Sequence, residues 1–265
     1  MISALVLAPL PLLAIWLGGP WLVLLTALVG AVMAWEWGRL CRGVSRRRFA
    51  PGAVEALVLA VVLAAIAVAA AAAMPTAFIV AAAGAGLVYA AARLRPGGQA
   101  LRTALGTLWV TLPCLCFLWL AQSQAGGRAL LIWLLAVVWA TDIGAYAAGR
   151  SIGGPRLAPR LSPRKTWAGL AGGVLSAALA GGAAALLLAV PAPLLLVALS
   201  AGLAIVAQLG DLAESLAKRR FGVKDSSGLI PGHGGVLDRL DGLLAVVPAV
   251  ALLTLASGRG VLAWH

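Results

Sequence analysis

The sequence predicts an all-α polytopic membrane protein of about nine transmembrane helices. Three observations carry that reading. Hydrophobic residues make up 63% of the 265 and charged residues only 11%, where a soluble globular domain carries roughly 25% charge. Mean hydropathy is +1.03. Apolar runs of about 20 residues, the length a helix needs to cross the hydrocarbon of a bilayer, recur from end to end.

The runs fall at approximately 2–17, 20–41, 53–73, 76–92, 101–121, 129–149, 166–189, 193–212 and 235–256. No polar or Pro/Ser-rich linker divides them, so residues 1–265 read as one transmembrane domain. Within it, 1–125 would supply scaffold and a lipid or dimer surface, and 126–265 the motif-bearing helices. The first run has no charged region before it and no A-x-A site, so no cleavable signal is expected. Gly18-Gly19-Pro20, Met74-Pro75 and Pro191-Ala192-Pro193 are the expected outside turns. Ala- and Gly-rich stretches such as Ala67–Ala73 and Ala168–Ala185 allow close helix packing, and they make a homodimer plausible. Cys41, Cys114 and Cys116 lie in or beside apolar runs without metal-ligand spacing and read as small core hydrophobes.

A net charge of +12 invites a nucleic-acid reading, but the positions of the cations argue against it. Arg39, Arg42, Arg46, Arg47 and Arg48 close or follow the second run, and Arg93, Arg95 and Arg102 surround the junction of the fourth and fifth. Arg150, Arg156, Arg160, Arg164 and Lys165 follow the sixth, and Lys218, Arg219, Arg220, Lys224 and Arg239 precede or open the ninth. Only Arg128 and Arg259 fall on the other side. Such asymmetry places the cationic loops and the amino terminus in the cytoplasm and the carboxyl terminus outside. Membrane lipids with anionic headgroups and phosphorylated substrates are the natural partners.

Residues 210–242 hold five of the eight acidic side chains, Asp211, Glu214, Asp225, Asp238 and Asp241, and five of the twenty basic ones. Unpaired charge in hydrocarbon costs at least ~2.5–3.5 kcal/mol per residue, so a segment this dense in both signs suits metal ions and phosphates at the membrane surface. Asp211, Glu214, Ser215 and Lys218 are spaced i, i+3, i+4 and i+7 and share one helix face. Asp238 and Asp241 are one turn apart, with Arg239 between them. The PGHGG stretch, with Gly232, Gly234 and Gly235, allows backbone to approach a ligand closely. A structural salt-bridge network would explain the charges but not that hinge. His233 is a candidate base or a hydrogen-bonding loop residue; His265 is uninformative.

Upstream, Asp142 lies about two turns inside the end of the sixth run with Tyr146 at i+4. It is a metal-ligand candidate, or a structural partner of Arg150 or another loop cation. Ser162-Pro163-Arg164-Lys165-Thr166 opens the seventh run, placing a hydroxyl and two cations at a helix amino terminus, a ready anion site. An ordinary cationic loop is the plainer reading. Glu36, in Ala34-Trp35-Glu36-Trp37, is a buried-looking carboxylate that pairs with Arg39 or supports the site from outside the motif.

Ser215 to Arg219, Lys224-Asp225 and Pro231 to Asp241 together closely resemble the motif of the phosphatidate cytidylyltransferase (CDP-diacylglycerol synthase) family. Asp142 with Tyr146 and Arg150, and Ser162 to Trp167, look like the family's upstream elements, so the motif resemblance covers residues 139–242. One departure is Ala168, where the family commonly has an acid after the Thr-Trp pair. The resemblance implies a nucleotidyltransferase that joins CTP and phosphatidic acid into CDP-diacylglycerol and pyrophosphate at the cytoplasmic face of a bacterial inner membrane. It implies Mg2+ on carboxylates among Asp142, Asp211, Glu214, Asp225, Asp238 and Asp241, with a second ion, K+ or divalent, beside it. Lys218, Arg219, Lys224 and Arg239 would neutralise phosphates. Ser162, Arg164, Lys165, Thr166, His233, Gly234 and Gly235 would hold nucleotide or lipid headgroup.

Two other classes stay in view. A CDP-alcohol phosphatidyltransferase would need a D-G-x2-A-R…G-x3-D-x3-D pattern, which the chain lacks. A transporter would carry charges near mid-bilayer in two related halves, whereas here the acids crowd one end.

Overall fold

The computed structural model describes residues 9–42, 52–71, 73–94, 99–123, 126–230, 232 and 234–263. Among the described residues are nine α-helices: α1 (Pro9–Leu17), α2 (Gly19–Arg42), α3 (Ala53–Ala70), α4 (Met74–Arg93), α5 (Ala100–Ser123), α6 (Gly127–Ser151), α7 (Trp167–Leu187), α8 (Pro193–Arg220) and α9 (Leu237–Ser257). Eight of them, α2 to α9, are long and apolar enough to cross a membrane. The protein is an all-α polytopic membrane protein. Arg46, Arg47, Arg48, Arg95, His233, His265 and the start of the first expected span lie outside the described residues.

The hydropathy runs and the helices agree closely, with two informative differences. Met74-Pro75 and Pro193, expected in turns, lie in the first turns of α4 and α8. Proline's missing N–H has no helical partner there, so it costs nothing at such a position. Helix α8 runs to Arg220, well past the apolar stretch that ends near residue 212, and carries Glu214 and Lys218 on its extension. Pro113 and Pro248 sit inside α5 and α9 without ending them. Buried threonines satisfy their hydroxyls on carbonyls one turn back: Thr107 on Thr103, Thr111 on Thr107 and Thr141 on Val137, at 2.9, 2.6 and 2.7 Å.

Where a loop was expected before α7, the chain makes a small antiparallel hairpin, β1 (Arg156–Ala158) and β2 (Ser162–Thr166), with Arg156 opposite Thr166 and Ala158 opposite Ser162. Apolar periodicity cannot announce a hairpin of this composition. The Trp167 N–H donates to the Pro155 carbonyl at 3.1 Å, closing its base. Thr166 is the N-cap of α7: its hydroxyl accepts the Gly169 N–H at 3.0 Å.

The chain divides into two compact units. One holds the described residues up to Trp119 together with Arg220–Leu240; the other holds Leu120–Arg219 and the chain from Asp241 onward. The loop between α8 and α9 thus groups with the amino-terminal helices.

In the first unit, α2, α3 and α5 meet at Gly30, where an added Cβ would lie 3.1 Å from Ile66 and Val62 and 3.4 Å from the sulfur of Cys114. Gly106 of α5 gives up its side-chain space to the Trp37 ring, whose Nε1 donates to the Arg102 carbonyl at 3.3 Å. Phe221, at the start of the loop, stands edge-on to Trp37 with centroids 5.8 Å apart, and the Arg102 guanidinium lies 5.7 Å from its ring. All three cysteines are free.

In the second unit, α6 and α7 pack almost backbone to backbone. A Cβ on Gly173 would sit 3.0 Å from the Thr141 carbonyl, and one on Gly144 would sit 2.6 Å from the Gly172 carbonyl. Small residues permit that approach, and without them two apolar helices in lipid have little reason to stay paired. Trp133 of α6 donates from Nε1 to the Ser200 hydroxyl of α8 at 3.1 Å, and the Ser200 hydroxyl in turn donates to the Leu196 carbonyl at 2.7 Å.

Candidate functional site

Among the described residues, the acids of 210–242 fall into two clusters, one in each compact unit. In the second unit the cluster is built by close helix contact. An added Cβ on Gly210 would lie 2.7 Å from the Asp241 carbonyl and 2.7 Å from the Ala245 methyl, and one on Gly242 would lie 3.3 Å from the Ala207 methyl. Each of these glycines neighbours an acid, Asp211 on α8 and Asp241 on α9. Two small residues at one crossing therefore bring two carboxylates together.

Lys165, at the end of β2, reaches into this cluster. Its ammonium is 2.5 Å from Asp211 Oδ2 and donates to Gln208 Oε1 at 2.8 Å. Asp241 accepts the Gly242 N–H at 2.7 Å on Oδ1, and Asp211, Asp142 and Lys165 are all close enough to act on it electrostatically. Asp142 is itself exposed on α6. Ser215 donates to Asp211 Oδ1 at 3.4 Å. One turn on, Glu214 is buried and its Oε2 accepts from Lys218 Nζ at 3.1 Å. Arg219 is exposed at the end of the same helix.

Among the described residues no three His, Cys, Asp or Glu side chains converge into a metal-binding group. The donor chemistry nonetheless fits Mg2+. That ion is usually held by only one or two carboxylates, its shell being completed by waters and substrate phosphates. A lysine ammonium already seated on Asp211 shows that the position attracts positive charge.

In the first unit the cluster is a folded loop held by two buried carboxylates. Asp238 is buried, and its Oδ2 accepts the Ser226 N–H at 2.9 Å, the Ser226 hydroxyl at 2.9 Å and the Gly235 N–H at 2.8 Å. Glu36, fully buried on α2, accepts the Ser227 hydroxyl at 2.6 Å, the Val236 N–H at 2.9 Å and the Leu237 N–H at 2.7 Å; the Ser226 hydroxyl lies 3.2 Å away. Gly234 has φ +82, in the left-handed region, and a Cβ on it would lie 2.7 Å from Asp238 Oδ2 and 3.6 Å from the Asp225 Cβ. At Gly235 a Cβ would run into both the Ser226 hydroxyl and the Glu36 carboxylate. Asp225 is half-buried, while Lys224 and Arg239 are exposed.

The second cluster thus gathers Asp142, Lys165, Asp211 and Asp241 of the expected site residues, and the first gathers Asp225, Gly234, Gly235 and Asp238. Ser162 is half-buried and Arg164 exposed on the hairpin, and Thr166 is occupied as a helix cap. His233 lies outside the described residues. Three participants went unnoticed in the sequence: Gln208, Ser226 and Ser227. The signal for Gln208 was present, a lone amide in an apolar run three residues before Asp211. Glu36 stood out by composition, but its partners, 190 and more residues away, did not.

With this geometry in hand, likeness to known proteins is decisive. The Cytidylyltransferase family matches residues 1–256. The chain belongs to that family. The phosphatidate cytidylyltransferase of Brucella suis is 39% identical over 255 residues, covering 96% of this chain and 91% of its own. That of Pseudomonas aeruginosa is 39% identical over 265 residues, covering 98% and 97%. The Haemophilus influenzae protein of the same name is 45% identical over 127 residues, 46% of this chain and 44% of its own. As a member of the cytidylyltransferase family the protein is a nucleotidyltransferase, and both clusters lie inside the matched region.

Proposed function

We propose that this protein joins CTP and phosphatidic acid into CDP-diacylglycerol and pyrophosphate at the cytoplasmic face of a bacterial inner membrane. The observation that carries the reading is the pair Asp211 and Asp241, set together by Gly210 and Gly242 with Lys165 on one carboxylate. It occurs in a chain whose near-full-length relatives bear the phosphatidate cytidylyltransferase name. The cytoplasmic placement rests on the distribution of the cations.

In the proposed reaction a phosphate oxygen of phosphatidate bonds to the α-phosphorus of CTP, and the bond to the bridging oxygen of the β-phosphate breaks. Pyrophosphate leaves with that electron pair. Little acid–base chemistry is required, so positioning and charge neutralisation are the chain's main contributions. Mg2+ held by Asp211 and Asp241 would neutralise triphosphate oxygens and the charge that develops on the leaving pyrophosphate. A second ion, K+ or divalent, would draw on Asp142. Lys165 would turn from Asp211 toward phosphate as the site fills. Arg164, Lys218, Arg219, Lys224 and Arg239 would attract the nucleotide and the lipid headgroup. In this reading Asp225 borders the loop at Gly234, while Asp238, with its three donors, holds that loop in shape.

The test is pyrophosphate release by purified protein in detergent, with phosphatidic acid, Mg2+ and each of CTP, ATP, GTP and UTP. Release that requires lipid, metal and a cytidine nucleotide supports the proposal. Release without lipid, or with every nucleotide alike, removes it. The homodimer is likewise a proposal, decided by the mass of the solubilised particle.

A further inference from the structure

We propose that Glu36, on α2 and far from the motif in sequence, is a positioning residue for nucleotidyl transfer: it holds residues 226–230 and 234–237 in the shape the reaction needs. The proposal rests on the function proposed above. Most helices begin with Ser, Thr, Asp or Asn accepting the free N–H groups of the first turn, but Val236 precedes α9 and has no such oxygen. Glu36 supplies it from another helix, taking the Val236 and Leu237 N–H groups at 2.9 and 2.7 Å. A carboxylate at a helix amino terminus also answers the positive end of the dipole. The Ser227 hydroxyl, donating to it at 2.6 Å, with that of Ser226 at 3.2 Å, fixes the loop just after Lys224-Asp225. Asp238 completes the arrangement from within the loop, through Ser226 and Gly235.

Two features separate this from general packing. Glu36 is fully buried, and its partners among the described residues are loop and helix-start donors rather than a lysine or arginine. A buried carboxylate is costly unless its oxygens are bonded; here the loop provides those bonds, so loop shape and carboxylate charge depend on each other. The fit is also close, since Gly235 has no room for a Cβ between Ser226 and Glu36. Asp241 lies four residues beyond Leu237 in the sequence of the same helix.

Glu36→Gln keeps the shape and removes the charge. Each oxygen of Glu36 accepts one backbone N–H, so whichever way the amide turns, its NH2 faces a donor. We expect kcat to fall at least tenfold in full-length Glu36→Gln protein, with KM for phosphatidic acid within twofold of wild type. Amide exchange at 226–230 and 234–237 should accelerate at least tenfold while that of α6 and α7 stays unchanged. Gly235→Ala should reproduce both effects. Should Glu36→Gln fail to fold, Gly235→Ala and Glu36→Asp carry the same two readouts. Wild-type kcat together with unchanged exchange overturns the proposal. So does faster exchange at full kcat, which leaves Glu36 a purely structural cap. If the wild-type protein releases no pyrophosphate, the proposed function fails instead. Exchange then decides alone, with CTP–Mg2+ as probe: unchanged loop exchange in the variants, or loss of CTP protection in none of them, overturns the positioning role.

Discussion

Gly210→Ala adds one methyl group where α8 crosses α9. The new Cβ would lie 2.7 Å from the Asp241 carbonyl and from the Ala245 methyl, and ordinary contact begins at 3.4 Å. Backbone cannot rotate aside as a flexible side chain would, so the helices must part by about 0.7 Å. Overpacking of this kind costs ~1–3 kcal/mol. The same shift separates Asp211 from Asp241, and misplacing reacting groups by ~1 Å costs ~100-fold in rate. We therefore expect kcat for pyrophosphate release to drop between roughly 10- and 100-fold, in protein whose thermal unfolding in detergent is only modestly earlier. Gly202→Ala, on the same helix with nothing within 4 Å of the added Cβ, is the internal control. Alanine is the better helix former by up to ~1 kcal/mol, so this variant should match wild-type activity and unfold no earlier. Wild-type kcat in Gly210→Ala would refute the claim that this crossing sets the distance between the carboxylates.

Other substitutions separate the roles of the remaining residues. Lys165→Met removes the cation on Asp211 and Gln208; kcat should fall at least tenfold while Mg2+ alone, followed by calorimetry, binds no more weakly than to wild type. Asp225→Ala should lower activity at least tenfold in folded protein, and a variant of full activity would take Asp225 out of the site. Ser200→Ala leaves the buried Trp133 N–H without its acceptor, which should cost ~1–3 kcal/mol of stability. Its steady-state constants should stay at wild-type values, because nothing in the charged clusters touches it.

Much of the molecule was legible in the sequence, for a physical reason. A bilayer demands long apolar helices, so hydropathy alone located α2 to α9 to within a few residues, apart from the polar extension of α8. Dense charge in an apolar chain likewise picked out 210–242, and helical spacing paired Glu214 with Lys218. Contacts set by the fold rather than by local period were not legible. The hairpin at 156–166 has no apolar alternation to announce it, and the cap that the Thr166 hydroxyl gives the backbone of α7 went unread. The partners of Glu36 lie on a loop some 190 residues away, and sequence spacing carries no trace of them. Nor does Gly210 look different from Gly202 until α9 is laid across it.

The most direct measurement is conversion of labelled CTP and phosphatidic acid to CDP-diacylglycerol by wild-type, Asp211→Asn, Asp241→Asn and doubly substituted protein, across a Mg2+ titration. If the two carboxylates act as one metal-holding unit, each single variant should lose roughly 100-fold or more and the double variant little beyond that, since residues acting together are non-additive. Product formation should also stop when Mg2+ is chelated and return when it is restored. A folded Asp211→Asn or Asp241→Asn protein working at the wild-type rate would contradict the proposed centre, whatever the family.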